Sequence, residues 1–412
     1  MAEGERSNST ASSMKRRDMR ILWQSNGFWS QSGYAVFTRD ILFRLRDDGW
    51  PLAHVAFWGL QGHPATIDGI YTYPVMGNPF GADAMFNHAM DFKADVVFTM
   101  QDVWPLDPNL LRQIKTWIPY LPIDKSPVPG GVIRNLNFAY KILTFAKFGQ
   151  EELEKVGFTS TFIPEGTDVN IFKPLDKQAC RKELGLPPDV FLFTMVAANK
   201  ENPPRKGFQE AMEAFKTFAD RHPEARLFIT VQQTDPGGFP IIPFARHLKI
   251  LDKIIYKSDY FVIHKNDSDY ICKLYNASDV LLHPSQTEGF GLCIVESQAC
   301  GTPVIIQNCQ SMPELIIDGK TGWGAETLHK RFTNDEGYVN VVDTNSVYSQ
   351  MEKSYKALKE NEEQVSNDCR EHIVNNFNID TLFKERWLPL LESLQEELLP
   401  VAKTEQPVIQ ST

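Results

Sequence analysis

The stretch Leu281–Glu314 reads LLHPSQTEGFGLCIVESQACGTPVIIQNCQSMPE. An apolar run predicts a strand that ends at His283, and the residues after Gly291 predict a helix. The polar loop between them carries Glu288, and its glycines, Gly289 and Gly291, free the backbone. A glycine-bearing loop before a helix favours binding of a phosphate group, because the first N–H groups of a helix lack partners.

Two carboxylates accompany this loop. Glu288 precedes the predicted helix, and Glu296 lies about one turn inside it. So placed, they can hold hydroxyl groups of a sugar and of a ribose on either side of a diphosphate. For Glu288 a structural explanation also exists, because the helix macrodipole favours acidic residues at helix starts. Glu296 lies among apolar residues, where a carboxylate needs a partner.

Alternating apolar runs and amphipathic segments extend on both sides of this stretch from Met19 onward, which is typical of doubly wound parallel sheets. The pattern breaks at a linker over residues 165–174. The sequence therefore predicts an α/β protein with two Rossmann-like domains, residues 19–164 and 175–378. Because such sheets bind ligands at the carboxyl ends of their strands, we expect the active site in the cleft between them.

Strands and helices are predicted in both domains. Predicted strands cover 20–23, 54–58, 95–99, 117–122, 141–145 and 161–164 in the first domain, and 190–196, 226–231, 260–263, 280–283 and 303–306 in the second. A helix is predicted over 241–255, and further helices follow Thr344 and end near Leu399. Residues 1–18 are predicted to be a disordered leader and residues 400–412 a disordered tail.

Composition narrows the function. The chain has 412 residues, 42% of them hydrophobic, and carries 42 basic against 52 acidic side chains. Without a long basic run, extensive duplex binding is disfavoured. No apolar run reaches the ~18 residues of a membrane span, and the first residues lack the apolar core of a secretory signal. We therefore predict a cytoplasmic protein, with peripheral membrane association left open.

Neither cysteines nor acidic triplets predict a metal site. Six cysteines without a C-x-x-C pair indicate reduced, mostly buried thiols. Asp267-Ser268-Asp269 has the form of a metal-binding D-x-D, but it directly precedes a predicted helix and is interpreted as an N-cap. Ser311 and Glu314 have the spacing of a capping box. We predict neither a metal nor another cofactor.

Longer motifs resemble a known family. Residues 288–296, EGFGLCIVE, resemble the E-x7-E motif of retaining glycosyltransferases with the GT-B fold, and the following ACGTPVI and SMPEL are similar to its family 4. The resemblance covers most of residues 160–325 strongly and the first domain weakly. It implies a nucleoside diphosphate sugar as donor substrate, UDP- or GDP-linked, and C-terminal helices over 379–399 that pack back on the first domain.

The resemblance also implies site residues. Glu288 would contact the donor sugar, Glu296 the ribose, and the backbone at Phe290 and Gly291 the diphosphate. Gly33, in a loop before the first helix, resembles a glycine of the same family, although an ordinary turn fits equally. The predicted donor-binding residues are Glu296, Phe290, Gly291, Leu292, Gly289, Gly33 and His283, the last of which could equally be a core histidine.

A basic loop, residues 198–207 (ANKENPPRKG), would hold the diphosphate. Lys206 matches the family's Lys before Gly. Asn199 stands near the family's usual Arg, so either Arg205 or Lys200 supplies that charge. A solvated loop is the structural alternative, but a Lys at a helix start opposes the macrodipole unless an anion is bound. The predicted catalytic residues are Glu288, Arg205 and Lys206.

Three residues of the first domain are acceptor candidates. Gln101 and Asp102 end a predicted strand, and family members often carry His where Gln101 stands. Asp124 follows the next strand and could instead form a turn.

The sequence thus predicts a metal-independent retaining glycosyltransferase that acts on an acceptor hydroxyl of a glycan, a small molecule or a modified base. The alternatives are a glycosyltransferase of modified nucleic-acid bases and a nucleotide-sugar-binding protein without turnover. The second alternative is motivated by Gln101 and Asn199. Donor, acceptor and oligomeric state are not determined by the sequence.

Overall fold

The structure is a computed structural model, and it describes residues 17–201, 203–233 and 235–399. The predicted leader up to residue 16 and the predicted tail over 400–412 lie outside the described residues. Arg17 is part of the fold, since it forms ion pairs with Asp48 and Glu392, both at 2.8–2.9 Å.

The first sheet has eight strands in the order β3-β4-β2-β1-β5-β6-β7-β8. All neighbouring pairs are parallel except β3 with β4. Its strands are β1 (Ile21–Asn26), β2 (Leu52–Phe57), β3 (Ala65–Ile67), β4 (Ile70–Pro74), β5 (Val96–Met100), β6 (Trp117–Leu121), β7 (Leu143–Thr144) and β8 (Thr161–Phe162). The helices of this half are α1 (Gly33–Asp47), α2 (Met85–Phe92), α3 (Pro108–Leu111), α4 (Gly130–Leu136) and α5 (Lys147–Lys155).

The second sheet has six parallel strands in the order β11-β10-β9-β12-β13-β14. Its strands are β9 (Phe191–Val196), β10 (Ala225–Thr230), β11 (Ile254–Tyr256), β12 (Val280–His283), β13 (Val304–Gln307) and β14 (Gly322–Ala325). The helices are α6 (Lys177–Leu184), α7 (Phe208–Arg221), α8 (Ile241–His247), α9 (Asp259–His264), α10 (Ser268–Ala277) and α11 (Leu292–Ala299). An antiparallel hairpin, β15 (Thr327–Phe332) and β16 (Tyr338–Val342), follows the sheet.

The C-terminal helices are α12 (Thr344–Asn376), α13 (Ile379–Leu382) and α14 (Leu388–Leu398), and a π-helical turn, Phe383–Trp387, joins the last two. Trp387 is buried in the core of the first sheet, with ring centroids 5.7 Å from Trp23 and 5.1 Å from Tyr120. Aromatic packing of this kind is worth about 0.5–1.5 kcal/mol per pair beyond area burial. Trp387, between α13 and α14, therefore packs on the first domain. No helix in the described ranges is long and apolar enough to cross a membrane.

The predicted strand over 260–263 is wrong, because these residues form α9. Ser258 caps this helix by accepting a hydrogen bond from the Phe261 N–H at 3.3 Å. The edge strand is β11, which begins at Ile254 and so overlaps the end of the segment predicted as helix 241–255. That part of the helix prediction is therefore wrong as well. Short apolar runs fit either type of element, and here the local cap favours the helix.

Candidate functional site

The carboxyl edges of the two sheets meet in a cleft. In the loop between β12 and α11, the hydroxyl of Thr287 donates a hydrogen bond to the backbone carbonyl of Asp124, just after β6. Gly33, the first residue of α1, lies opposite the start of α11, since a β-carbon there would be 3.7 Å from Leu292 Cδ1. Predicted site residues of the first domain therefore lie close to those of the second domain across the cleft.

The loop before α11 is held in place by its neighbours. Gly291 has φ 112°, a left-handed conformation that favours glycine. The hydroxyl of Ser311 bonds the carbonyls of Glu288 and Phe290 at 2.8 and 3.1 Å. No side chain of the described residues caps α11. Its first N–H groups therefore face the cleft without a side-chain acceptor, as an anion site requires.

Glu288 is the centre of a charged cluster. It is buried, and its Oε1 accepts a hydrogen bond from Lys206 Nζ and lies 3.0 Å from His283 Nε2. Arg205 approaches its other oxygen at 3.5 Å. Burial raises the pKa of Glu288, but the charges of Lys206 and Arg205 outweigh burial and hold that pKa well below its usual range. Glu288 is therefore a carboxylate at neutral pH.

His283 was predicted either as a core residue or as part of the donor site, and it has features of both. Its ring is buried, and Nδ1 lies 3.3 Å from Cys293 Sγ while Nε2 faces Glu288. Burial lowers the pKa of His283, partly offset by Glu288. A neutral imidazole in this place orients the Glu288 carboxylate.

Arg205, and not Lys200, lies beside Glu288. Its guanidinium donates to the Thr287 carbonyl at 3.0 Å. The Lys200 ammonium instead lies 4.8 Å from the ring centroid of Trp58 in the first domain. Asn199 accepts a hydrogen bond from the Phe239 N–H at 2.7 Å and so stabilises a loop. Of the two candidate cations, Arg205 is therefore the one that lies in the charged cluster around Glu288.

Glu296 has a partner within the protein. The hydroxyl of Tyr275 donates to its Oε2 at 2.9 Å. Burial raises the pKa of Glu296 to about 7, although the Tyr275 hydrogen bond acts in the opposite direction. The carboxyl group therefore changes charge near neutral pH.

Sequence reasoning missed Glu165, which lies in the predicted linker. Its side chain is buried. Burial, together with the charges of Glu296 and Glu288, raises the pKa of Glu165 well above its ordinary value. The available signals were an acidic residue between Pro164 and Gly166 and the resemblance of this segment to the family, but its lack of periodicity indicated a linker.

The acceptor candidates line the first-domain side of the cleft. The Tyr34 hydroxyl lies 3.3 Å from Asp102 Oδ2, and burial, then the charge of Asp124, raises the pKa of Asp102 to about 6. Gln101 is buried, and neither atom of its amide has a partner within the described ranges. The positive charge of Arg205 lowers the pKa of Asp102, so Asp102 lies near the charged cluster around Glu288.

Two predicted caps have different outcomes. Asp267 accepts a hydrogen bond from the Tyr270 N–H at 2.9 Å, so the N-cap interpretation of the D-x-D triplet is confirmed. The capping box of Glu314 with Ser311 is wrong. Glu314 instead accepts from the N–H groups of Lys147 and Phe148 at 2.9 and 2.7 Å, and so caps α5 in the other domain. Across the described residues, no group of three or more His, Cys, Asp or Glu could hold a metal ion.

The hairpin β15–β16 closes one side of the cleft. Lys125 pairs with Asp335 at the hairpin tip, and Ser126 bridges to Tyr338. A cavity of about 370 Å³ lies under the hairpin, and Arg205 is among its lining residues. Sequence reasoning placed no element here.

Comparison with known proteins agrees with this architecture. The family model described as "Glycosyl transferases group 1" matches residues 176–332. D-inositol 3-phosphate glycosyltransferase 2 of Catenulispora acidiphila is 32% identical over 173 residues, which cover 40% of this chain and 38% of that protein. The enzyme of Segniliparus rotundus is 30% identical over 162 residues, 39% of this chain and 34% of that protein. The chain thus matches less than two fifths of the length of these relatives.

Solved structures of similar fold cover nearly the whole chain. Sucrose-phosphate synthase from Thermosynechococcus elongatus superposes with a TM-score of 0.72 at 16% identity, over 91% of this chain and 100% of that one. A glycosyltransferase from Rickettsia africae gives 0.69 at 18% identity, over 94% and 100%. Anabaena HepE in complex with UDP and glucose gives 0.68 at 15% identity, over 90% and 99%. This chain therefore has the GT-B fold, and its second domain matches the group 1 glycosyltransferases.

Proposed function

We propose that this protein is a metal-independent retaining glycosyltransferase of family 4, which transfers a sugar from a nucleoside diphosphate sugar to an acceptor hydroxyl. The observation that carries the proposal is the placement of Glu288. Its carboxylate lies between Lys206 and Arg205 at the uncapped start of α11, facing the first domain.

Each part of the donor has a chemically suitable partner in this arrangement. The diphosphate would bind the N–H groups at Phe290–Leu292 and the side chains of Arg205 and Lys206, because a helix N-terminus and fixed cations both favour an anion. Glu288 would accept hydrogen bonds from the sugar, and Glu296 from the ribose.

The reaction breaks the bond between the anomeric carbon and the diphosphate oxygen and forms a bond from that carbon to the acceptor oxygen. Negative charge develops on the leaving diphosphate, where Arg205 and Lys206 stabilise it more strongly than in the bound donor. The acceptor attacks from the same face, and its proton passes to the leaving phosphate oxygen. The anomeric configuration is therefore retained.

The comparisons support this proposal at the level of the second domain. The relatives are named as glycosyltransferases, and HepE was crystallised with UDP. UDP is therefore the first nucleotide to test. The acceptor in the relatives' names, an inositol phosphate, does not carry over, because so little of their length is matched.

Thermal-shift measurements with UDP, GDP, ADP and their sugars test the donor, because a ligand at 100 times its Kd stabilises a protein by about 2.7 kcal/mol. Proton NMR of the first-formed product tests the stereochemistry. We expect an α-linked donor to give an α-linked product. A β-linked product would contradict the mechanism and make Asp102 or Asp124 the leading catalytic base.

A binding protein without turnover is the second candidate, and the buried, unpartnered amide of Gln101 favours it. An amide at this place cannot take up a proton as a histidine could. Nucleotide-sugar binding without transfer or hydrolysis, over a broad acceptor panel, would establish this alternative.

A further inference from the structure

Large aromatic side chains are exposed along the carboxyl edge of the first sheet. Trp29, Trp58 and Trp104 are 40%, 55% and 54% exposed. They follow β1, β2 and β5, which are neighbours in the sheet. Phe80, after β4, joins them, and we call these four residues the aromatic rim. Exposed indoles are expensive to leave in water, so a set on one edge indicates a binding surface.

Trp29 is held in a fixed position by glycines on both sides. A β-carbon on Gly27 would lie 3.0 Å from the Trp29 ring, and one on Gly59 would lie 2.8 Å from it. The edge of Phe28 packs against the same ring, with centroids 4.9 Å apart. The indole is thus pre-oriented, which reduces the entropy cost of binding a ligand.

Trp58 has an unusual backbone for a bulky residue. Its φ is 53°, in the left-handed region, and such strain persists only where the surroundings require it. Lys200 of the second domain lies over the ring of Trp58. This contact shows that the indole faces the cleft between the domains.

Trp104 connects the rim to the acceptor candidates. It lies two residues after Asp102, and its ring centroid is 6.0 Å from that of Phe80. Phe80 in turn lies 6.4 Å from Phe57 at the end of β2. A ligand that extends along the rim would therefore end beside Asp102.

We propose that the aromatic rim binds a carbohydrate chain whose terminal sugar supplies the acceptor hydroxyl. The proposal rests on the proposed function, because it places that hydroxyl beside Asp102 and the charged cluster around Glu288. The C–H groups of a pyranose ring carry partial positive charge and stack on the negative face of an indole. Separate indoles suit this ligand, because the sugar hydroxyls between them stay in contact with water.

The charge of the first half of the chain distinguishes between a neutral saccharide and two other candidate ligands, a single-stranded nucleic acid and an anionic membrane. A single-stranded nucleic acid also stacks on aromatic rings, but it needs a positive groove for its phosphates. Residues 1–173 carry 17 basic and 18 acidic side chains, Asp83 and Asp102 lie close to the rim in the chain, and one cation, Lys200 of the second domain, lies over a rim residue. An anionic membrane likewise needs a basic surface. The balanced charge of this half of the chain favours a neutral saccharide.

Calorimetry with neutral malto-, cello- and chito-oligosaccharides of increasing length, in the presence of UDP, tests the proposal. We expect at least one series to bind, with an affinity that increases with chain length. Trp104→Ala and Trp58→Ala should each weaken the longer oligosaccharides about fivefold or more. Tyr256→Ala is the control, because this side chain is 46% exposed on the edge strand of the second sheet.

The Kd for UDP distinguishes a failure of the rim proposal from a failure of the proposed function. If UDP binds but none of the oligosaccharides does, or if the Trp variants bind them as the wild type does, the rim proposal is wrong while the donor site stands. If none of UDP, GDP and ADP binds the wild-type protein, the proposed function fails as well. An unchanged Kd for UDP in the Trp variants shows that they are folded, and Trp104→Phe should restore part of the oligosaccharide affinity. Binding of single-stranded DNA or anionic vesicles that requires Trp104 would replace the saccharide as the ligand.

Discussion

Gly289 and Pro122 are in contact across the cleft so closely that a β-carbon on Gly289 would lie 2.2 Å from Cβ of Pro122. Gly289 belongs to the loop before α11, and Pro122 follows β6 of the first sheet. This glycine is therefore required by the contact between the domains, in addition to any role of its backbone toward a phosphate.

Gly289→Ala should separate the loop from the first domain and lower turnover tenfold or more, because catalysis depends on small displacements of positioned groups. Pro122→Gly in the same chain removes the opposing Cβ and Cγ and leaves Cα at 3.0 Å, so it should restore part of the activity. Gly77→Ala is the control, since its nearest neighbour would lie at an ordinary 3.5 Å. Failure of the double variant to recover would show that the lost activity does not come from this clash.

The positive charges beside Glu288 should determine turnover. Lys206→Ala and Arg205→Ala should each lower the rate of transfer tenfold or more, because the leaving diphosphate loses a fixed cation. Lys216→Ala removes a charge paired with Asp220 on α7 and should have no effect. EDTA should leave the wild-type rate unchanged. A rate that EDTA abolishes and manganese restores would contradict metal-independent transfer.

Glu296 should make the stability of the protein depend on pH. Its pKa is raised from 4.5 to about 7, so the fold prefers the neutral carboxyl while the unfolded chain ionises from about pH 4.5 upward. The wild type should therefore lose stability relative to Glu296→Gln between pH 4.5 and 7, by on the order of 3 kcal/mol at 1.36 kcal/mol per unit.

Thermal unfolding of both proteins across this pH range measures the difference. We expect the Tm of the wild type minus that of the variant to fall with rising pH and to level off above pH 7. The same variant should bind UDP more weakly if Glu296 holds the ribose, since a charge-assisted hydrogen bond contributes about 1.5–3 kcal/mol. A flat Tm difference or an unchanged Kd would refute the respective assignment.

Glu314 should hold the two domains together. Glu314→Ala removes the cap that this residue provides to Lys147 and Phe148, and a lost cap costs about 0.5–2 kcal/mol. We expect small-angle scattering to give a larger radius of gyration for the variant and a larger decrease on nucleotide binding. Asp343→Ala is the matched control, because Asp343 caps α12 within one domain. It should lower the Tm but leave the radius of gyration unchanged, and equal scattering of both variants would count against a role for Glu314 between the domains.

The local pattern of the sequence was enough to place the loop and helix that carry the candidate site. Gly291 precedes α11 as expected, and the helix begins at the next residue, Leu292. Strand periodicity, a positive-φ glycine and an N-cap act over a few residues, so a sequence alone specifies them. The α/β fold with two parallel sheets followed from the same signals.

Tertiary structure decided the features that depend on contacts between distant segments. The cation that lies beside Glu288 and the helix that Glu314 caps both depend on contacts between segments that are far apart in the chain, and the burial of Glu165 depends on how its segment is packed. These choices are made by burial and by hydrogen bonds between residues that lie 82 positions apart for Lys206 and Glu288 and 166 positions apart for Phe148 and Glu314. Such long-range interactions leave no period in the sequence.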